Sequence, residues 1–218
     1  MTRAVYKAHE PSENYLKFGG VLFGNQTACQ DCVKQILRTY IDWTKWTNEN
    51  QPGLWSGFNN WGFYDVYGGV SFSSLFQGPE SEARRAIQIF EDLADQSNGA
   101  IFWVDKKIEN HDTFMGWHGD STDTVGGSAL IASRLIPAEN FATPESREAL
   151  TEAFLATQGG MLVTVGKGNM EADPSQTSVT PAWRRAYIHY GANPGTVITE
   201  TMSVSDFADR MVTTTELM

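Results

Sequence analysis

The chain has 218 residues, 41% of them hydrophobic, enough for one large domain or one and a half ordinary ones with a sizeable core. Sixteen Lys and Arg against 26 Asp and Glu give a formal net charge of −10, spread along the chain, which disfavours nucleic acid and anionic membrane surfaces as partners. No run reaches the roughly 20 apolar residues of a spanning helix, and the N-terminus lacks the basic, apolar and small-residue succession of a signal peptide, so the expected compartment is the cytoplasm.

In chain order, the first predicted element is a strand over 15–23. A helix follows over 27–46, where Cys29, Cys32, Val33, Ile36, Leu37, Tyr40 and Ile41 recur at three- and four-residue steps until Pro52-Gly53 breaks the pattern. Two aromatic strands, 54–64 and 67–76, flank Asp65 with too little chain between them for a crossover helix, and so form a hairpin. A second helix opens at Pro79, with Glu80 and Glu82 at the positive end of its dipole and Ala83, Ala86, Ile87, Phe90 and Leu93 as its apolar stripe, and stops at Asn98-Gly99. After a strand over 100–104, the polar, Gly-rich stretch 106–127 reads as a long functional loop. A third helix follows Thr143-Pro144 and ends at Gly159-Gly160; strands are expected at 161–165, 183–190 and 197–201, and a weak fourth helix at 204–212.

Strand pairs interspersed with single helices predict an α+β fold, an antiparallel β-sheet with helices packed on one face and the other face open or lining a cavity. In the strand after Asp65, Val70, Phe72 and Phe76 alternate with Tyr67, Ser71 and Ser73. In the late strand, Ala186 and Ile188 alternate with Trp183, Arg185, Tyr187 and His189. The first set in each strand is core. Tyr67, Ser71, Ser73, Arg185, Tyr187 and His189 are therefore the candidate substrate-binding residues, apolar bodies with a few polar groups that suit a small organic molecule.

Other motifs carry less. Cys29-Gln30-Asp31-Cys32 has the spacing of a thiol exchange site, but both sulfurs continue the apolar stripe of their helix and no second ligand pair offers a zinc site, so they read as buried structural cysteines. Four scattered histidines, His9, His111, His118 and His189, make no ligand cluster beyond His118-Gly119-Asp120. Gly166-Lys167-Gly168 lacks a third glycine and a following helix, and reads as a turn. For Arg184-Arg185, one exposed side chain and one paired across the sheet is set against Arg185 orienting an anionic ligand.

Five segments resemble one family. Thr2-Arg3-Ala4-Val5-Tyr6-Lys7-Ala8-His9, Gly19-Gly20-Val21-Leu22, Phe76-Gln77-Gly78-Pro79, Ser133-Arg134-Leu135-Ile136-Pro137 and Thr180-Pro181-Ala182-Trp183-Arg184 resemble, in order and spacing, the middle of the berberine bridge enzyme-like FAD-linked oxidases. The resemblance implies a substrate domain built as an antiparallel sheet backed by helices. It also implies a flavin held elsewhere, by an N-terminal domain, often through a His and a Cys, and by a C-terminal segment. Residues 1–218 are then expected to be a single substrate-domain-like unit, with Met1 where the flavin domain would end and no residue matching the flavin-attaching pair. The chain alone is expected to hold no cofactor, and to meet FAD only if a separate flavin domain is supplied.

Three functions follow as expectations. The first is a truncated or split FAD-linked oxidoreductase acting on a small, secondary-metabolite-like substrate, its catalytic residues unassigned and a flavin domain its partner. The second is a flavin-independent cyclase or isomerase that positions a polyene or polyketide in the retained cavity. The third is a non-catalytic binding protein that self-associates into a homo-oligomer through the uncovered sheet face.

Overall fold

The computed structural model describes residues 15–51, 53–113, 132–176 and 179–192. Their elements are β1 (Tyr15–Asn25), α1 (Cys32–Asn50), β2 (Leu54–Tyr64), β3 (Tyr67–Gln77), α2 (Glu80–Gln96), β4 (Ile101–His111), β5 (Ala132–Pro137), α3 (Pro144–Ala156), β6 (Gly159–Thr164), α4 (Gly166–Glu171) and β7 (Ala186–Ala192). The strands form one seven-stranded sheet in the order β4-β1-β3-β2-β6-β7-β5, every pairing antiparallel. The expected α+β class is the observed one.

The core lies where alternation puts it, between one sheet face and the helices. Leu16, Phe18 and Leu22 of β1, Trp55 and Trp61 of β2, and Val70, Phe72 and Phe76 of β3 are buried there against Ile36, Leu37, Tyr40 and Trp43 of α1 and Ile87 and Phe90 of α2. Phe72 is central. Its ring lies 5.0 Å from Phe18, 5.0 Å from Phe90 and 5.6 Å from Trp103. Under β6 and β7, Tyr190 stacks on Phe154 of α3 at 4.2 Å and accepts the Trp61 indole N–H at 3.0 Å.

The β2–β3 hairpin closes through Asp65-Val66, with Tyr64 paired to Tyr67 and Asp65 at φ 56°. A bulge interrupts β1 against the edge strand β4. Gly20 takes φ 130° there, and a Cβ on it would sit 2.8 Å from the Lys106 Cα, so only glycine lets the two backbones meet.

Several expectations change at the element ends. The first helix begins at Cys32, not at residue 27, because the Asn25 Oδ1 accepts from the amides of Thr27 and Ala28 at 3.0 and 3.3 Å and holds the chain in a turn. Cys29 and Cys32 are not two thiols but a disulfide. β4 continues through Asp105, Lys106, Lys107 and Glu109 to His111, a run read as loop from its charges, which as an edge strand it carries toward solvent. Gly166-Lys167-Gly168 is the start of the short helix α4, and 181–185 is a 3-10 turn, so the last described strand starts only at Ala186. β5 was not expected. The elements expected at 197–201 and 204–212, with His9 and His118, lie outside the described residues. Among the described residues no helix is long and apolar enough to cross a membrane.

Candidate functional site

The sheet face away from the helices is set by the register. Ser73 of β3 lies level with Phe58 of β2, since Gly57 pairs with Ser74 and Asn60 with Ser71; Phe58 pairs with Val163 of β6, and Val163 with His189 of β7. These four side chains form a row across the sheet. Strand spacing of about 4.8 Å puts Ser73 and His189 about 14 Å apart, the width of a small organic ligand. One row further, Val21, Ser71, Asn60 and Met161 run parallel to it. Phe58 is 51% exposed and Ser73 is exposed, while Ser71, Val163 and His189 are half-buried. The face offers apolar area with two hydroxyls and an imidazole, the Trp183 ring standing edge-on to His189 at 5.1 Å.

Of the six residues singled out from sequence, Ser71, Ser73 and His189 meet in this region, and the other three do not. Tyr67 projects from the same face but lies six residues from Ser73, about 20 Å along the strand. There it joins an aromatic cluster with Phe23 at 6.2 Å and Phe102 at 5.9 Å, to which Tyr64 adds itself at 5.8 Å from Phe23.

Tyr187 is a correction. Ile136 pairs with Ile188 but Pro137 pairs with Ala186, so Tyr187 is the extra residue of a bulge and its side chain turns to the helix side. It packs on Phe141 at 5.1 Å and its hydroxyl donates to Glu49 of α1 at 3.4 Å. Burial, then the Glu49 charge, hold that phenol above its ordinary pKa. Arg185 sits in the 3-10 turn, exposed, not in a strand as expected. Its neighbour Arg184 reaches the carbonyls of Asn169 and Ala172 at the end of α4 at 2.7 and 3.0 Å.

The lining of this face and one core residue behind it were missed. Phe58, Val163 and Met161 line it, and alternation read through β2 and β6 as it was through β3 would have found them. Asn59 could not have been found so. It points into the core, wholly buried, and its Oδ1 accepts from both the Ser73 amide and the Ser74 hydroxyl at 2.9 Å, while its Nδ2 donates to the Tyr40 hydroxyl at 2.9 Å. A side chain thus takes the place of a ladder bond beneath Ser73. Burial raises the Tyr40 pKa, which keeps the phenol neutral.

A cleft of about 530 Å³ lies on the opposite side of the molecule between α1 and α3, lined by Arg38, Asp42, Pro144, Glu145, Arg147 and Glu148. Its charges are already paired. Arg147 meets Asp42 at 2.5 Å, and Glu148 holds Lys34 at 2.7 Å and Arg38, bonds that keep the Glu148 carboxyl below its ordinary pKa. It reads as the seam of two helices and not as a site.

No family model matches the sequence, and no curated protein matches it. Two solved structures do match by shape, both VAO-type flavoproteins from Myceliophthora thermophila C1. MtVAO713 superposes with a TM-score of 0.68 at 16% identity, and MtVAO615, solved at pH 5.0, with 0.66 at 14%. Each alignment covers 94% of this chain and 38% of the flavoprotein. The chain thus has the fold of one part of the VAO-type flavoproteins.

Proposed function

We propose that this chain is the substrate-binding unit of an FAD-linked oxidoreductase, with the open sheet face as the substrate wall. The observation that supports this best is the match over 94% of the chain to VAO-type flavoproteins, combined with a sheet face that alternates apolar surface with Ser71, Ser73 and His189. The berberine bridge enzyme-like branch is the finer reading, resting on the five sequence segments.

A pyrophosphate calls for a glycine-rich turn leading into a full helix, whereas the helix after Gly166 has six residues. The flavin is therefore held by a unit outside these residues, and when bound it supplies the two-electron chemistry. This chain's residues then bind and orient the substrate. Phe58, Val163 and Met161 exclude water from its apolar body, the Ser71 and Ser73 hydroxyls donate to or accept from its polar groups, and the His189 imidazole can carry a proton at its edge.

The test is a titration in two arms. FAD added to the chain alone is expected to keep its free fluorescence, and full quenching by this chain would overturn the division of labour. In a complex with the flavin unit, the double variant Ser73→Ala with His189→Ala is expected to weaken substrate binding by at least about tenfold, one such hydrogen bond being worth about 1.4 kcal/mol. Unchanged binding would remove the open face as the site. The exposed Phe58 favours a second reading, self-association through that face. Light scattering that shows a dimer broken by Phe58→Ser would support it.

A further inference from the structure

The disulfide joins two sulfurs in different surroundings. Cys32 is the first residue of α1 and fully buried; Cys29 is half-buried, in a turn whose residues Thr27, Ala28, Gln30 and Asp31 are exposed. Gly24 makes room for the pair, since a Cβ there would lie 2.6 Å from the Cys32 Cβ. Backbone hydrogen bonds hold the turn alongside the disulfide. The Cys29 amide donates to the Asn25 carbonyl at 2.9 Å, the Cys32 amide to the Cys29 carbonyl at 3.3 Å, and Gln26 to Val66 at 2.9 Å in the hairpin turn.

From this asymmetry we propose that Cys29–Cys32 is a thiol–disulfide exchange site, open to a dithiol reductant at Cys29 and closed at Cys32. A thiolate of the reductant attacks the Cys29 Sγ from solvent, forming a mixed disulfide, and the electron pair of the broken bond leaves on the Cys32 Sγ. Cys32 is a suitable leaving group because it sits in the first turn of a 19-residue helix, where unpaired amides favour negative charge. The second thiolate of the reductant then attacks its own sulfur in the mixed disulfide and releases Cys29. The reductant ends as a cyclic disulfide, and the protein gains two electrons and two protons. Because the backbone bonds of the turn remain, the fold survives in both redox states. The exchange is independent of any flavin and of the open sheet face.

The test uses the whole native chain and dithiothreitol. After graded reduction and a short pulse of N-ethylmaleimide, mass spectrometry is expected to find Cys29 labelled at least about tenfold faster than Cys32, with the far-ultraviolet circular dichroism unchanged. Oxidised glutathione is expected to restore the bond. Equal labelling, or a bond that yields to dithiothreitol only after urea unfolds the protein, would overturn the proposal. Single variants sharpen it: Cys32→Ser is expected to take one glutathione at Cys29, and Cys29→Ser to take it at least tenfold more slowly. If either variant fails to fold, the labelling ratio in the unmutated chain decides alone.

Discussion

The two faces of the sheet are made from the same strands and differ in what each neighbouring side chain finds opposite it. On the helix side, Phe72 touches rings from β1, β4 and α2, and polar atoms such as those of Asn59 are fully bonded. On the other side, Phe58 is half exposed between Ser73 and Val163, and Tyr64 and Tyr67 cluster at the far end. The first face is closely packed. The second is partly open, and under the proposed function stability is expected to reside on one side and recognition on the other.

The sharpest way to break this contrast is a pair of truncations. Phe72→Ala is expected to lose about 3 to 5 kcal/mol in urea unfolding, since it leaves a cavity among rings that cannot collapse. Phe58→Ala on the adjacent strand should stay within about 0.5 kcal/mol. Comparable losses at the two positions would end the division. Next in size, Asn59→Ala strands the Ser74 hydroxyl and Tyr40 and is expected to cost about 1 to 3 kcal/mol. Because Asn59 also holds the Ser73 amide, the same variant should change ligand affinity on the face it does not touch; a loss of stability with unaltered binding would show that the faces are uncoupled.

The smallest effect is invisible at neutral pH. Tyr40, Tyr187 and Tyr190, all on the helix side, have pKa values raised above the ordinary 10.0 by burial. A group whose folded pKa lies above its unfolded one contributes stability fully present below the unfolded value and lost as pH rises through the folded one. The contribution of these three phenols is thus expected to be constant up to about pH 10 and to be lost beyond it, and Tyr187→Phe to flatten that decline in a pH series of urea midpoints.

How much of this was legible depended on whether the signal was local. The helix stripe of Ala83, Ala86, Ile87 and Phe90 and the alternation of Val70 and Phe72 fix their elements because each residue's fate depends on its own neighbours in sequence. So does the hairpin at Asp65, where only two residues separate paired strands. The placement of Tyr187 was not legible. Its strand alternates correctly on either side, and the bulge that turns it over exists only because Pro137 on β5, a distant strand, pairs with Ala186. The Asn25 side chain that delays the first helix is a local cue in principle, but the apolar stripe through Cys29 masked it. Ser71, Ser73 and His189 were found because β3 and β7 show period-two alternation, and Phe58, Met161 and Val163 lay in β2 and β6, to which that period was not applied.

The edge strands carry one more consequence. Among the described residues β4 ends the sheet on one side, with a bulge opposite Gly20 and the charges Asp105, Lys106, Lys107 and Glu109, and β5 ends it on the other with six residues closing on Pro137. Such borders resist lateral growth by another chain's strand, through the cost of burying charges at one and a proline at the other. Such margins disfavour fibril-like stacking of the described sheet. If the open face is the substrate wall proposed above, its ligand approaches broadside, over the row from Ser73 to His189.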